Sequence, residues 1–162
     1  MSAWRARLRR LPGPGRLRRF GAALGGPHRA SALRGVFDGA WVALTLRRRG
    51  VAPLMSALDG DAGGVHDSAT AAEVADAVDA GLGLVPVAPT CLRRSVTLVR
   101  ALQRRGLAGV VHVGVRPAGD RIEAHAWVQV DDVVVNDEPE VVDRWARIAA
   151  GELERMSGAT WT

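Results

Sequence analysis

One thiol, four imidazoles and a scatter of carboxylates are the groups in this chain able to do covalent or acid–base chemistry. The thiol belongs to the only cysteine, Cys91, in Pro89-Thr90-Cys91-Leu92-Arg93-Arg94-Ser95, where a turn gives way to a helix. A thiol attacks as its thiolate, so a nucleophilic cysteine needs something that lowers its pKa. A helix start supplies unpaired N–H groups and the positive end of the dipole, and Arg93 and Arg94 add positive charge. The backbone N–H of Cys91 would also be available to a developing oxyanion. The same residue reads equally well as a small apolar core side chain, since free cysteine is among the most buried types.

His125 follows 34 positions later in the strand-like run Ala124-His125-Ala126-Trp127-Val128-Gln129-Val130. Alternation places Ala124, Ala126, Val128 and Val130 on one face and His125, Trp127 and Gln129 on the other. His112, on the preceding strand, competes for the same role, whereas His28 and His66 fall in basic or glycine-rich stretches expected at the surface. Three acids could orient an imidazole. Asp131 and Asp132 sit in a turn, where aspartate already has a structural job, and Asp137 closes the next strand. Register discriminates between arrangements. With a two-residue loop at 131–132, Asp137 falls opposite Ala126 and faces away from His125. A bulge or an irregular strand end near Asn136 is therefore required to bring the two together.

The elements that must position these groups can be read from periodicity. Leu33, Val36, Phe37, Ala40, Trp41 and Leu44 recur at helical spacing within residues 32–49, and Arg47-Arg48-Arg49-Gly50 is a cationic last turn followed by glycine. Leu11-Pro12-Gly13-Pro14-Gly15 and Gly25-Gly26-Pro27 interrupt any longer helix, and short arginine-rich helices are expected beside them. Asp59-Gly60-Asp61-Ala62-Gly63-Gly64 reads as an exposed linker. Thr70-Ala71-Ala72-Glu73 reads as a capping box opening a helix to about residue 80. Thr90 is the expected N-cap of a helix that carries Leu92, Val96, Val99 and Leu102 on one stripe and ends at Gly106. The period then changes. Residues 110–115, 122–130 and 133–135 read as three strands joined by turns at 117–120 and 131–132, and 141–156 resumes helical character. A helix followed by an antiparallel meander is an α+β layout.

Charge divides the chain. Residues 1–50 hold twelve arginines and one acid, Asp38, while the other 112 residues hold ten arginines and sixteen acids. We expect an arginine-rich helical segment over 1–58 and a catalytic domain over 65–162. The complete absence of lysine, beside abundant Ala, Gly and Val, reads first as GC-rich codon usage and need not reflect selection for phosphate contacts. A lone cysteine excludes an internal disulfide framework and a cysteine-based zinc site. No phosphate loop, dinucleotide fingerprint or His-Glu-x-x-His occurs, and the histidines are too scattered for a metal set, so no cofactor or metal is expected. Apolar runs are too short to span a bilayer, no secretory signal is legible, and a cytoplasmic location follows. The arginine-rich segment could meet nucleic acid or anionic lipid by charge alone, but its first reading is a solvated helical face; no nucleic-acid partner is expected.

From Val87 to Trp145 the chain resembles the transglutaminase-like B2 proteins of lasso peptide biosynthesis. The resemblance is carried by Cys91-Leu92-Arg93-Arg94-Ser95, Arg104-Arg105-Gly106, Val113-Gly114-Val115-Arg116, Ala124-His125-Ala126-Trp127-Val128-Gln129-Val130 and Asn136-Asp137-Glu138-Pro139-Glu140-Val141, in that order. It implies a papain-like or transglutaminase-like fold and a cysteine peptidase that removes the leader from a lasso precursor peptide. By this likeness Cys91 is the nucleophile, His125 the general base and acid, and Asp137 the residue orienting the imidazole. It also implies a separate PqqD-like leader-binding B1 protein as partner, with an ATP-using lasso cyclase acting on the released core. Gln129 stands where such proteins often carry an acid, and Asp132 where a turn glycine is common. Two other classes use the same parts: a transglutaminase-like acyltransferase or deamidase, and a non-catalytic scaffold. For the arginine-rich segment, docking of the partner protein ranks ahead of docking of the cyclase or a membrane.

Overall fold

Small residues decide how the first helices meet. In a computed structural model, which describes residues 13–50, 63–86, 90–149 and 160–161 (the last pair by backbone), helix α1 spans Pro14–Gly25 and α2 spans Arg29–Arg49. Proline in the first turn of α1 needs no N–H partner, and Gly26-Pro27 separates the two helices as the sequence predicts. The first twelve residues, the linker from Asp59 to Ala62, Pro89 and the tail through Met156 lie outside the described residues.

Helix α3, Ser68–Leu82, packs on α2 at backbone contact. A Cβ on Gly81 would stand 2.1 Å from the Ala32 carbonyl oxygen, and one on Gly35 would stand 2.6 Å from that of Val78. Only glycine at these two positions permits this approach. The cap of α3 differs from expectation. Asp67, rather than Thr70, is the N-cap, accepting from the Thr70 N–H at 3.0 Å and from its hydroxyl at 2.6 Å. These bonds hold the Asp67 carboxyl below its usual pKa. Glu73, free of a capping duty, reaches His28 at 2.7 Å. His28 is thus half-buried between helices, not the exposed residue its basic surroundings suggested, whereas His66 is exposed as expected.

Helix α4, Cys91–Gln103, is covered by α2, α3 and the sheet, and nearly every residue in it is buried. The sheet comprises β1 (Val110–Ala118), β2 (Arg121–Val130), β3 (Val133–Val134), β4 (Ala146–Ile148) and β5 (Thr160–Trp161). Its order is β3-β2-β1-β4, all antiparallel, with β5 adding parallel to β2 at Glu123 and Ala124. The β1–β2 turn is shorter than expected, because Pro117 and Ala118 remain paired. The expected helix over 141–156 is corrected. Helix α5 covers only Val141–Arg144, after which the chain extends and pairs β4 with β1 at Val113, Gly114 and Val115. The α+β architecture holds.

Two apolar clusters lie between helices and sheet. Val74, Val78 and Leu82 of α3 meet Leu98, Leu102, Val128 and Val130. Val42 of α2 joins Leu92, Val96, Val113, Ala126 and Cys91 itself. A third cluster, Trp127, Val141 and Trp145, covers the other face of β2.

Candidate active site

Thr90 starts α4 by accepting from the Arg93 N–H at 3.3 Å, and this fixes Cys91 as the first helical residue. Cys91 is 6 % exposed, and its sulfur meets the backbone of β2 at Ala126. Its electrostatics differ from the sequence reading. Burial pushes the thiol above its ordinary pKa. The backbone N–H groups of Ala126 and Leu92 pull the other way, the Asp137 charge raises it further, and Arg94 contributes only a weak lowering. The Arg93 guanidinium is itself buried, which lowers its own pKa. The helix start therefore positions the sulfur and pulls its pKa down through the Leu92 N–H, but burial outweighs that pull.

The contact with Ala126 is part of a larger device. Alternation along an antiparallel strand aims the N–H and C=O of Ala126 and Val128 at the edge of β2 away from β1. There β3 has already stopped, and α4 and the segment after β3 supply side chains in its place. Ser95, one turn beyond Cys91, donates to the Ala126 carbonyl at 3.0 Å. Asn136 accepts from the Val128 N–H at 2.7 Å and donates to Ser95 Oγ at 3.1 Å. Arg94 binds Asp79 through two nitrogens and reaches the Asn136 carbonyl at 3.4 Å, tying α3 and α4 to this segment.

That arrangement answers the register problem. The hairpin loop is the two-residue type, with Val130 opposite Val133, and Asp131 takes a left-handed φ of 52°. Regular pairing would carry Asp137 away from His125. Instead pairing ends at Val134, Val135 N–H still reaches the Val128 carbonyl at 3.0 Å, and Asn136 bonds through its side chain. The backbone leaves the strand there, and Asp137 Oδ2 meets His125 Nε2 at 2.6 Å. The irregular end required near Asn136 is what the structure shows. Of the other acids, Asp131 pairs with His66, and Asp132 uses its carbonyl to accept from Gln129 at 3.3 Å.

On its far side the His125 ring stacks on Trp145, with centroids 5.0 Å apart and planes 22° apart, and Trp127 lies 6.4 Å away. The Arg116 guanidinium covers Trp145 at 4.3 Å. Gly114, directly opposite His125 on β1, makes room for this stack. A Cβ there would fall 2.6 Å from Trp145 Cβ and 3.0 Å from the Trp127 ring. The sequence reading missed Ser95, Asn136, Trp145 and Gly114 as parts of the site. Ser95 could have been found from its i, i+4 spacing to Cys91, but the others have no local signal. His112, opposite Trp127, is held below its usual pKa by burial and by Arg147. Among the described residues, no group of three or more His, Cys, Asp or Glu is placed to hold a metal.

Cys91 thus meets the backbone of β2 at Ala126, the residue after His125, and His125 is bonded to Asp137; the fold is a helix laid on an antiparallel sheet. The family model of the transglutaminase-like superfamily matches residues 33–150. The chain belongs to that superfamily. The match begins inside α2 and includes every residue of the site. No curated protein and no solved structure matches the chain. A transglutaminase-like domain of this kind has the fold of cysteine hydrolases and acyltransferases. No helix among the described residues is long and apolar enough to cross a membrane.

Proposed function

We propose that this protein is a cysteine peptidase that removes the leader from a lasso precursor peptide, with Cys91, His125 and Asp137 in the roles the resemblance implies. The reading is supported by the His125–Asp137 bond of 2.6 Å in a transglutaminase-like domain whose helix-start thiol meets the backbone of Ala126, the next residue along the strand. Nε2 is committed to Asp137, so proton exchange with the sulfur falls to Nδ1. With burial holding the thiol protonated at rest, the imidazole must take the proton as sulfur attacks the scissile carbonyl, forming the S–C bond. The backbone N–H of Cys91 receives the oxyanion. Collapse breaks the C–N bond, the imidazolium protonates the leaving amine, and a water deprotonated by His125 hydrolyses the thioester. Asp137 holds the ring orientation and stabilises the imidazolium, and Trp145 stacks on the ring.

Substrate delivery belongs to a separate PqqD-like B1 protein in this proposal, with the lasso cyclase acting on the released core. The test is a reconstituted reaction of precursor, B1-type partner and this chain, read by mass spectrometry. Cys91→Ala abolishes cleavage while partner binding persists; cleavage retained by that variant would sink the assignment. Product mass also separates hydrolysis from acyl transfer to an amine. One observation favours the second reading, a non-catalytic scaffold, namely the burial of the thiol. A Cys91 that iodoacetamide fails to modify even at alkaline pH decides for the scaffold.

A further inference from the structure

Helix α2 is apolar on two opposite faces. Its inner face packs through Ala32, Gly35, Gly39 and Val42. Its outer face carries Leu33, Phe37, Trp41 and Leu44 at the spacing of one helical stripe, exposed by 45 %, 73 %, 44 % and 46 %. Single exposed apolar residues are ordinary, but a continuous row of four including two aromatics is not. The helical repeat sets exposed arginines along both margins, Arg29 and Arg47 on one side and Arg34 on the other, with Arg48 at the C-terminal end of the stripe itself. Arg100 of α4 lies over the Trp41 ring at 4.3 Å. The only acid in α1, α2 or α4 is Asp38. It points inward, buried and paired with Arg104 and Arg100.

We infer that the outer face of α2 is an interfacial docking surface for an anionic lipid bilayer. Leu33, Phe37, Trp41 and Leu44 enter the acyl boundary, and the flanking arginines, their stems covering apolar surface, meet headgroup phosphates. Two observations favour a bilayer over a protein. The surface is the convex back of a helix rather than a groove, and its charge is of one sign along both margins. A lipid leaflet presents a matching uniform negative plane, whereas protein partners offer patches of mixed sign. Leu46, partly buried, packs with Val42 on the cluster of Cys91, Leu92 and Val96. Docking would therefore hold the thiol's helix about one helix spacing, ~10 Å, behind the lipid-facing one.

The test is co-sedimentation of the full chain with vesicles of phosphatidylcholine and phosphatidylglycerol, compared with phosphatidylcholine alone. The native chain sediments with the anionic vesicles and about tenfold less with the neutral ones. Phe37→Glu, at a side chain that touches little of the core, lowers anionic-vesicle partitioning about tenfold with an unchanged circular dichroism spectrum. Phe37→Trp retains binding, and lipids brominated in the acyl chain quench native tryptophan fluorescence but quench Trp41→Phe less. Absence of binding to anionic vesicles overturns the inference. So does sedimentation of Phe37→Glu equal to native, which would mean charge attraction alone. Loss by Phe37→Glu of binding to a protein partner, with vesicle binding absent in both forms, also overturns it and assigns the stripe to that protein.

Discussion

The two sides of β2 are built by opposite means. On the helix side, Ala124, Ala126, Val128 and Val130 are small and buried, and α4 comes close enough for Cys91 and Ser95 to touch strand backbone. On the other side, His125 and Trp127 are large, Gly114 gives way, and rings stack around the imidazole. Small residues bring a backbone near the thiol, and large ones lock the imidazole on the opposite face. Asp137 joins the sides because the chain rounds the strand edge at Asn136. The proposed nucleophile and the proposed base are thus held by separate packing, so that damage to one need not displace the other.

The sharpest way to break this division is to delete the proposed base. His125→Ala should reduce turnover about 10⁴-fold while leaving Cys91 alkylation within a few-fold of native, measured by precursor cleavage and iodoacetamide kinetics. Gly114→Ala tests the aromatic side. Its methyl group must push Trp145 or Trp127, costing about 1–3 kcal/mol in a urea melt, and turnover should fall more than thiol reactivity. Ser95→Ala tests the helix side, leaving the Ala126 carbonyl and Asn136 each short of a partner at a cost of about 1–3 kcal/mol.

The smallest effects concern charge. Since burial raises the Cys91 pKa, alkylation at neutral pH should lag a model thiol and accelerate as pH rises past ~8.5. Ionising a thiol whose folded pKa is raised also removes stability. That contribution is present below the unfolded pKa and is lost as pH climbs through the folded one. Arg94→Gln should shift the alkylation profile upward only slightly, because Arg94 is the weakest of the influences on the sulfur.

Much of this was legible in the sequence where local rules operate. Thr90 caps α4, the 131–132 turn closes the hairpin, and alternation along β2 separates His125 from Ala126 as read. Long-range events were not legible. Thr70-x-x-Glu73 reads as a cap, but Asp67 takes that place and Glu73 instead bonds to His28, a residue 45 positions away. Val141 to Ile148 has helical composition, yet Ala146–Ile148 gains strand bonds from β1 that no local pattern announces. The stripe on α2 showed its period but not its direction, because periodicity reveals a face without saying what covers it. The thiol pKa was misjudged for a related reason: charge near Cys91 is visible in sequence, and burial is not.

The interrupted edge of β2 has a further consequence, for self-association. Between β5, which ends at Ala124, and β3, which begins opposite Val130, bare strand backbone is plugged by side chains rather than by another strand. Unplugged backbone of this kind is a template for pairing with a second chain. Changes at Ser95 or Asn136 would therefore do more than weaken the site. They would open a sticky seam in the middle of the molecule, and preparations of such variants should turn cloudy on concentration before they lose their fold.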